Sequence, residues 1–376
     1  MTQTTDFLAP ARLGRLELPH HLVMAPLTRN RAEADGTPAP LMTTHYAQRA
    51  TAGLIIAEGS TPNPVGQTYP NITAIHTDRH VAGWRRVTEA VRAGGGRMFL
   101  QLQHGGRVSH PATTGLTPVA PSPVPLPETI FTPHGHRPAA VPREMTADDV
   151  RATVADFAEA ARRAVAAGFE GVEVHSANGM LLHQFLADNT NRRTDGYGGS
   201  ARRRVRFAAE VTEAVADAIG AERVGVRISP GSTVNGVVEE DTDGLYAALL
   251  ARLKDLDLAY LHLVRSDPET GWYRRIRADW PGVLIGNPDL TDLTTEAVTR
   301  GVQDLLAAGA DLVALGRPFL ANPDLVERLR RGAPLNPVRD RYFMYVGGAD
   351  GYNDYPALDA QPSSDSMVAW DAGRVA

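Results

Sequence analysis

Eight short apolar or β-branched runs recur along this chain, and helix-period stretches separate them. They read LVMAP (22–26), GLIIAE (53–58), RMFLQL (97–102), GVEVH (171–175), VGVRIS (224–229), YLHLV (260–264), VLIG (283–286) and LVALG (312–316). Runs with no polar alternation suit strands buried on both faces, as in parallel sheets, and each parallel pair needs a crossover helix. One such helix is expected over 146–168, where Thr146 can cap, Asp148 and Asp149 meet the positive end of the helix dipole, and Gly168 stops it. Another is expected over 321–331. No Gly-x-Gly-x-x-Gly follows the first run, so an open doubly wound sheet is the poorer solution. The α/β pattern predicts a (β/α)8 TIM barrel as a single domain over 1–376. Two segments exceed a minimal barrel. A Pro-rich excursion over 109–145 follows the third strand, and a Gly- and Tyr-rich tail occupies 340–376; both are expected on the mouth side.

Composition narrows the chemistry. The chain has no cysteine, which excludes disulfides, thiolate catalysis and Cys-ligated metals. Of 38 basic residues only Lys254 is lysine, and it lies in a predicted surface helix, which leaves a Schiff-base mechanism without a plausible nucleophile. A net charge of −5 argues against nucleic acid or an anionic membrane as partner. There is no signal-peptide pattern and no apolar run near the ~18 residues of a membrane span. The expectation is a soluble cytoplasmic monomer or homodimer acting on a small molecule, with no metal.

In a barrel of this type the C-terminal ends of the strands carry the chemistry. The polar residues fall there: Pro26, Leu27, Thr28 and Arg29 after strand one, Ala57 and Glu58 on strand two, Gln101 and His104 at strand three. His175 ends strand four, Arg227 strand five, Asn287 strand seven, and Gly316 with Arg317 strand eight. An arginine ending an apolar strand is rarely there for packing, so Arg227 reads as a ligand or ion-pair group. Gln101 is equally consistent with a backbone-bonding role in the interior. His20, His21, His104 and His183 read as structural. Gly316 before a helix opened by Arg317 offers N–H groups and a guanidinium to an anion.

Seven stretches in order, MAPLTRNRA (24–32), QLQHGGRVSHP (101–111), HSANGMLLHQFL (175–186), NRRTDGYGGS (191–200), RISP (227–230), ALGRPFLANPDL (314–325) and YVGGADGYNDYP (345–356), resemble the Old Yellow Enzyme family of FMN-dependent ene-reductases. The resemblance implies bound FMN, with NADPH or NADH as hydride donor. It implies flavin contacts from Pro26, Leu27, Thr28, Ala57, Gln101 and Arg227, and phosphate contacts from the backbone at Asn287, Gly316 and Arg317. It also implies that His175 and Asn178 hydrogen-bond the substrate oxygen and that Tyr69 and Tyr345 line the pocket.

Four positions depart from the family pattern. Met180 stands where a tyrosine usually protonates the α-carbon, and methionine has no proton to give. Gln103 replaces a bulky tryptophan. Pro288 removes an N–H on the phosphate side. Ala201-Arg202 follows Ser200 in place of the usual Glu-Asn. The reaction implied is reduction of an activated C=C bond with a proton source other than tyrosine at 180. A nitro or nitrate-ester reductase, a specialised biosynthetic redox enzyme and a flavin-binding protein without turnover are the alternatives. A metal-dependent hydrolase would want His-x-His at the end of strand one, where LVMAPLTR stands.

Overall fold

The computed structural model describes residues 6–359. Its central strands are β1 (Leu22–Met24), β2 (Leu54–Ser60), β3 (Met98–Leu102), β4 (Gly171–Ser176), β5 (Val224–Ile228), β6 (Tyr260–Ser266), β7 (Leu284–Pro288) and β8 (Leu312–Leu315). Each pairs in parallel with its neighbour in sequence, and β8 returns to β1, closing the barrel. All eight coincide with the runs read from the sequence. The helices α1 (Pro40–Ala47), α2 (Asp78–Ala93), α3 (Ala147–Ala166), α4 (Arg206–Ile219), α5 (Thr242–Leu253), α6 (Gly271–Asp279), α7 (Thr295–Ala307) and α8 (Leu325–Arg331) follow the strands one for one.

Local chemistry sets the helix limits. Thr146 and Asp149 cap α3 reciprocally, each side chain accepting the other's backbone N–H, and Gly168 just beyond it has φ +95°. The helix expected over 321–331 is two helices, Arg317–Ala321 and α8. Pro323 explains the break. Its ring disfavours helical backbone at the preceding residue, and Asn322 is extended at φ −130°, ψ 97°. Lys254 caps the C-terminus of α5 and is exposed. Among the described residues no helix is long and apolar enough to cross a membrane.

Alternation along the strands divides the core. Ile55, Leu100, Val172, Val174, Val226, Leu261 and Leu284 face outward into one cluster with helix residues such as Trp84, Phe157, Phe207 and Leu245. Leu54, Ile56, Phe99, Tyr260, Ile285 and Leu312 form the inner cluster. Its rings need room beside them. A Cβ on Gly225 would lie 2.2 Å from the Tyr260 ring, and one on Gly171 would lie 2.7 Å from Phe99. An antiparallel hairpin, Ala11–Leu13 with Leu16–Leu18, joins this cluster through Ala11, Leu13 and Leu18 and packs against the inner face. The sequence reading did not name it, although ARLGRLEL alternates around Gly14, whose φ is +54°.

Segment 109–145 contains a hairpin, Thr129–Thr132 with Gly135–Pro138, and a short parallel pair, Val119–Ala120 with Arg143–Glu144. The far end of the chain forms a strap over the loop that follows β1. Arg29 donates through Nε to the Met344 carbonyl and through Nη2 to Gly351, both at 2.8 Å. Arg31 donates to the Phe343 carbonyl at 2.9 Å. Tyr352 stacks on His45 with centroids 3.9 Å apart, and the Arg29 guanidinium lies 4.7 Å from the Tyr352 ring. Of the tail expected over 340–376, residues 360–376 lie outside the described residues.

Beneath the strap, Glu58 is fully buried and accepts from the Arg29 N–H at 3.2 Å and the Tyr46 hydroxyl at 3.2 Å. Burial pushes its carboxyl from 4.5 up to about 7 against the opposing pull of Arg29 and Tyr46. Between those values the folded chain keeps a proton that the unfolded chain has released. Stability is therefore expected to fall as pH rises through that window and to level off above it. Glu58→Gln should flatten this part of a denaturant-midpoint profile; a slope unchanged by the substitution would contradict the assignment.

Candidate active site

His175 is the penultimate residue of β4, and after Ser176 the chain turns through Ala177, Asn178 and Gly179. His175 lies opposite Arg227 on β5, and Arg227 lies opposite His262 on β6. The His175 ring is buried, and burial, followed by the Arg227 charge, depresses its pKa to about 3. It is neutral at pH 7, so it presents one donor and one acceptor nitrogen. Nδ1 is buried without a protein partner. Asn178 is half-buried at φ 53°, a left-handed conformation that asparagine tolerates better than most residues. Its N–H donates to Ser229 Oγ at 2.9 Å, and its carbonyl accepts from Asn235 Nδ2 at 2.8 Å. The Met180 thioether is buried beside this turn.

One layer deeper the barrel interior turns polar. Glu173 accepts from Gln101 Nε2 at 2.7 Å and from His262 Nδ1 at 2.8 Å. Burial pushes this carboxyl up, but the His262 ring, the Arg227 charge and the Gln101 amide outweigh it and hold it below its usual range. Burial lowers His262, so the pair is a carboxylate accepting from a neutral imidazole. Arg227, buried beside them, donates from Nη2 to Asn287 Oδ1 at 3.2 Å, while its Nε has no protein partner.

The remaining residues named from the sequence spread around the rim. Pro26 is buried; Leu27 and Thr28 are half-buried. Leu27 lies against Gly316, where an added Cβ would come within 3.6 Å of its Cδ2. The exposed Arg317 donates to the Leu290 carbonyl, which links the loops after β7 and β8. The Asn287 backbone N–H donates to Ser266 Oγ at 3.0 Å. Its side-chain amide, which accepts from Arg227, also donates to the Ala314 carbonyl at 2.8 Å. Pro288 ends β7. The Ala57 side chain packs outward, so only its backbone can face the interior. Gln103 fills space against Gly59, where a Cβ would meet it at 2.5 Å, and donates to Thr68 Oγ1 at 3.4 Å. Tyr69 follows in the same loop and Tyr345 closes the short helix Arg341–Tyr345; both are half-buried.

With this geometry in view, the sequence profile of the NADH:flavin oxidoreductase / NADH oxidase family matches residues 6–336. The chain belongs to that family. The enzyme is 41% identical to the probable flavin mononucleotide-dependent alkene reductase of Leishmania infantum, over 93% of this chain and 97% of the relative. It is 38% identical to 12-oxophytodienoate reductase 7 of Oryza sativa subsp. japonica, over 95% of each chain. Among solved structures, the Old Yellow Enzyme homologue from Zymomonas mobilis superposes with a TM-score of 0.89 at 36% identity, covering 94% of this chain and 100% of the other. Morphinone reductase in complex with tetrahydroNAD gives 0.88 at 42% identity, covering 94% and 98%. The enzyme is thus an Old Yellow Enzyme-family oxidoreductase, with FMN as cofactor and a reduced nicotinamide as hydride donor.

The residues present fit that cofactor. A buried donor left unmade costs about 1–3 kcal/mol, and Arg227 Nε is such a donor at the centre of the mouth. A ligand carrying acceptors on a flat edge would satisfy it, and Arg317 between the last two loops suits an anionic end.

Glu173, His262, Ser229 and Asn235 were not named from the sequence as site residues. The signal for the first two was present: a glutamate inside GVEVH and a histidine inside YLHLV are polar groups at inward positions of otherwise apolar strands. Ser229 and Asn235 act on Asn178 from the loop after β5, and nothing local in the sequence joins them to it.

Proposed function

We propose that this enzyme reduces the C=C bond of α,β-unsaturated carbonyl compounds. The observation that carries this reading is the neutral, buried His175 beside Asn178 at the end of β4, next to Arg227. When bound and reduced by NADPH or NADH, FMN would supply the hydride that the β-carbon of the alkene accepts. His175 and Asn178 hold the carbonyl oxygen as charge grows on it, and preorganised donors in a dry pocket stabilise such charge by roughly 2–4 kcal/mol each. A neutral imidazole suits this task, because its donor N–H does not alter with pH over the physiological range. Pro26, Leu27, Thr28, Ala57, Gln101 and Arg227 would hold the flavin ring; Gly316 and Arg317 would hold its phosphate.

Met180 cannot protonate the α-carbon. Tyr69, Tyr345 or water supplies that proton. Met180→Tyr is expected to raise turnover where protonation limits the rate, or to change the stereochemistry of the product, since a positioned general acid contributes about 10²–10⁴-fold. Unchanged rate and product for several enones would sink the idea that a protein acid is missing at 180. The test of the reaction itself is anaerobic reduction by NADPH or NADH, then reoxidation by cyclohexenone or by a nitro compound. Reoxidation by the enone with a saturated ketone as product supports the reading. Reoxidation by the nitro compound alone moves the enzyme to nitro reduction.

A further inference from the structure

We infer that Asn235, locked by the buried Arg107, is a positioning residue that sets the placement of the Asn178 amide. This rests on the reading of Asn178 as a substrate contact. Arg107 is 1% exposed, and the only charge felt by its guanidinium is the Glu128 carboxylate, which makes no direct ion pair with it among the described residues. All its guanidinium partners are carbonyls: Asn235 at 2.8 Å and Gly236 at 3.0 Å through Nη2, Pro125 at 3.2 Å and Val124 at 3.4 Å through Nη1. A buried cation with no direct ion pair is an expensive way to stabilise a barrel rim. Its planar fork, however, can grip two loops at once, here the excursion after β3 and the loop after β5.

That grip leads to Asn178 by two routes. Asn235, held by its carbonyl, turns its side-chain amide to the Asn178 carbonyl at 2.8 Å, and it sits at φ 56° to do so. The Arg107 backbone N–H donates to Gln184 Oε1 at 3.1 Å, and Gln184 Nε2 donates to the Gly179 carbonyl at 2.8 Å. The contact between turn and loop is tight. A Cβ on Gly179 would meet the Val234 carbonyl at 2.5 Å and Asn235 Cβ at 2.6 Å. Ser229 holds the Asn178 N–H from the other side. Both peptide groups of Asn178 are therefore fixed, and with them the point from which its side chain departs.

A double-mutant cycle tests this. Asn235→Gly removes the amide but accepts φ 56° without strain, so the loop keeps its path. Alone it is expected to lower kcat/KM for cyclohexenone about tenfold, chiefly through KM, the scale of coupling between contacting residues. FMN content and thermal midpoint should match the parent. Placed in an Asn178→Ala background, Asn235→Gly should cost nothing further. Arg107→Lys, which keeps the charge and loses the fork, should show the same pattern, and titration of a non-reducible ketone monitored by the flavin spectrum should weaken in parallel. A tenfold loss that persists in the Asn178→Ala background would overturn the positioning role while leaving the reading of Asn178 intact. If Asn178→Ala itself loses nothing, that reading falls and the positioning role falls with it.

Discussion

His175→Ala is expected to lower kcat/KM for an enone about 10²–10³-fold, the range found when one oxyanion donor is removed, while the protein stays folded and retains FMN. The expectation follows from where the ring sits. It is buried at the end of β4, its pKa is depressed to about 3, and one of its nitrogens has no protein partner. Removing it takes away a ring nitrogen that no protein group engages and leaves the interior bonds between Glu173, Gln101 and His262 in place. His175→Gln should recover part of the loss, because an amide still offers an N–H. Since the imidazole is neutral well below pH 5, the contribution of His175 should not vary between pH 5 and 8. A loss below about threefold in His175→Ala would remove this residue from the chemistry.

The second large effect concerns stability. Glu173→Ala is expected to destabilise the fold by about 3–5 kcal/mol, the scale for removing one partner from a buried charged network. Glu173 holds the interior amide of Gln101 and the ring of His262, and its charge is the nearest compensation for the buried Arg227. Glu173→Gln keeps the shape and one acceptor, so it should cost less. Denaturant unfolding measures both. A cost of under about 1 kcal/mol for the alanine variant would mean that Arg227 finds its compensation elsewhere.

Much of the fold was legible because barrel strands buried on both faces leave an apolar signature that survives without any knowledge of partners. GLIIAE and VGVRIS announce themselves; so does the capping pattern of α3. The polar residues at strand ends were legible for the same reason, since an arginine after VGV demands an explanation. What stayed hidden depends on contacts between distant segments. No local pattern pairs Glu173 with His262, 89 residues away, or Asn235 with Asn178. The bond from the Asn287 N–H to Ser266, on another strand, was equally hidden. The hairpin beneath the barrel was available as alternation around Gly14, but three-residue strands carry little weight on their own.

The strap gives the enzyme an order of assembly. Arg29 reaches across 322 residues to Gly351, so the loop after the first strand is held by a segment that follows the last one. Loop closure over such a span comes late in folding, after the local helix–strand units have formed. Tyr345 arrives with that segment. A chain cut before it is expected still to close its barrel, because β8 pairs with β1 upstream of the strap. A truncation after α8 is thus expected to part a folded barrel from its rim, with the loss of Tyr345 and of the carbonyls that Arg29 grips.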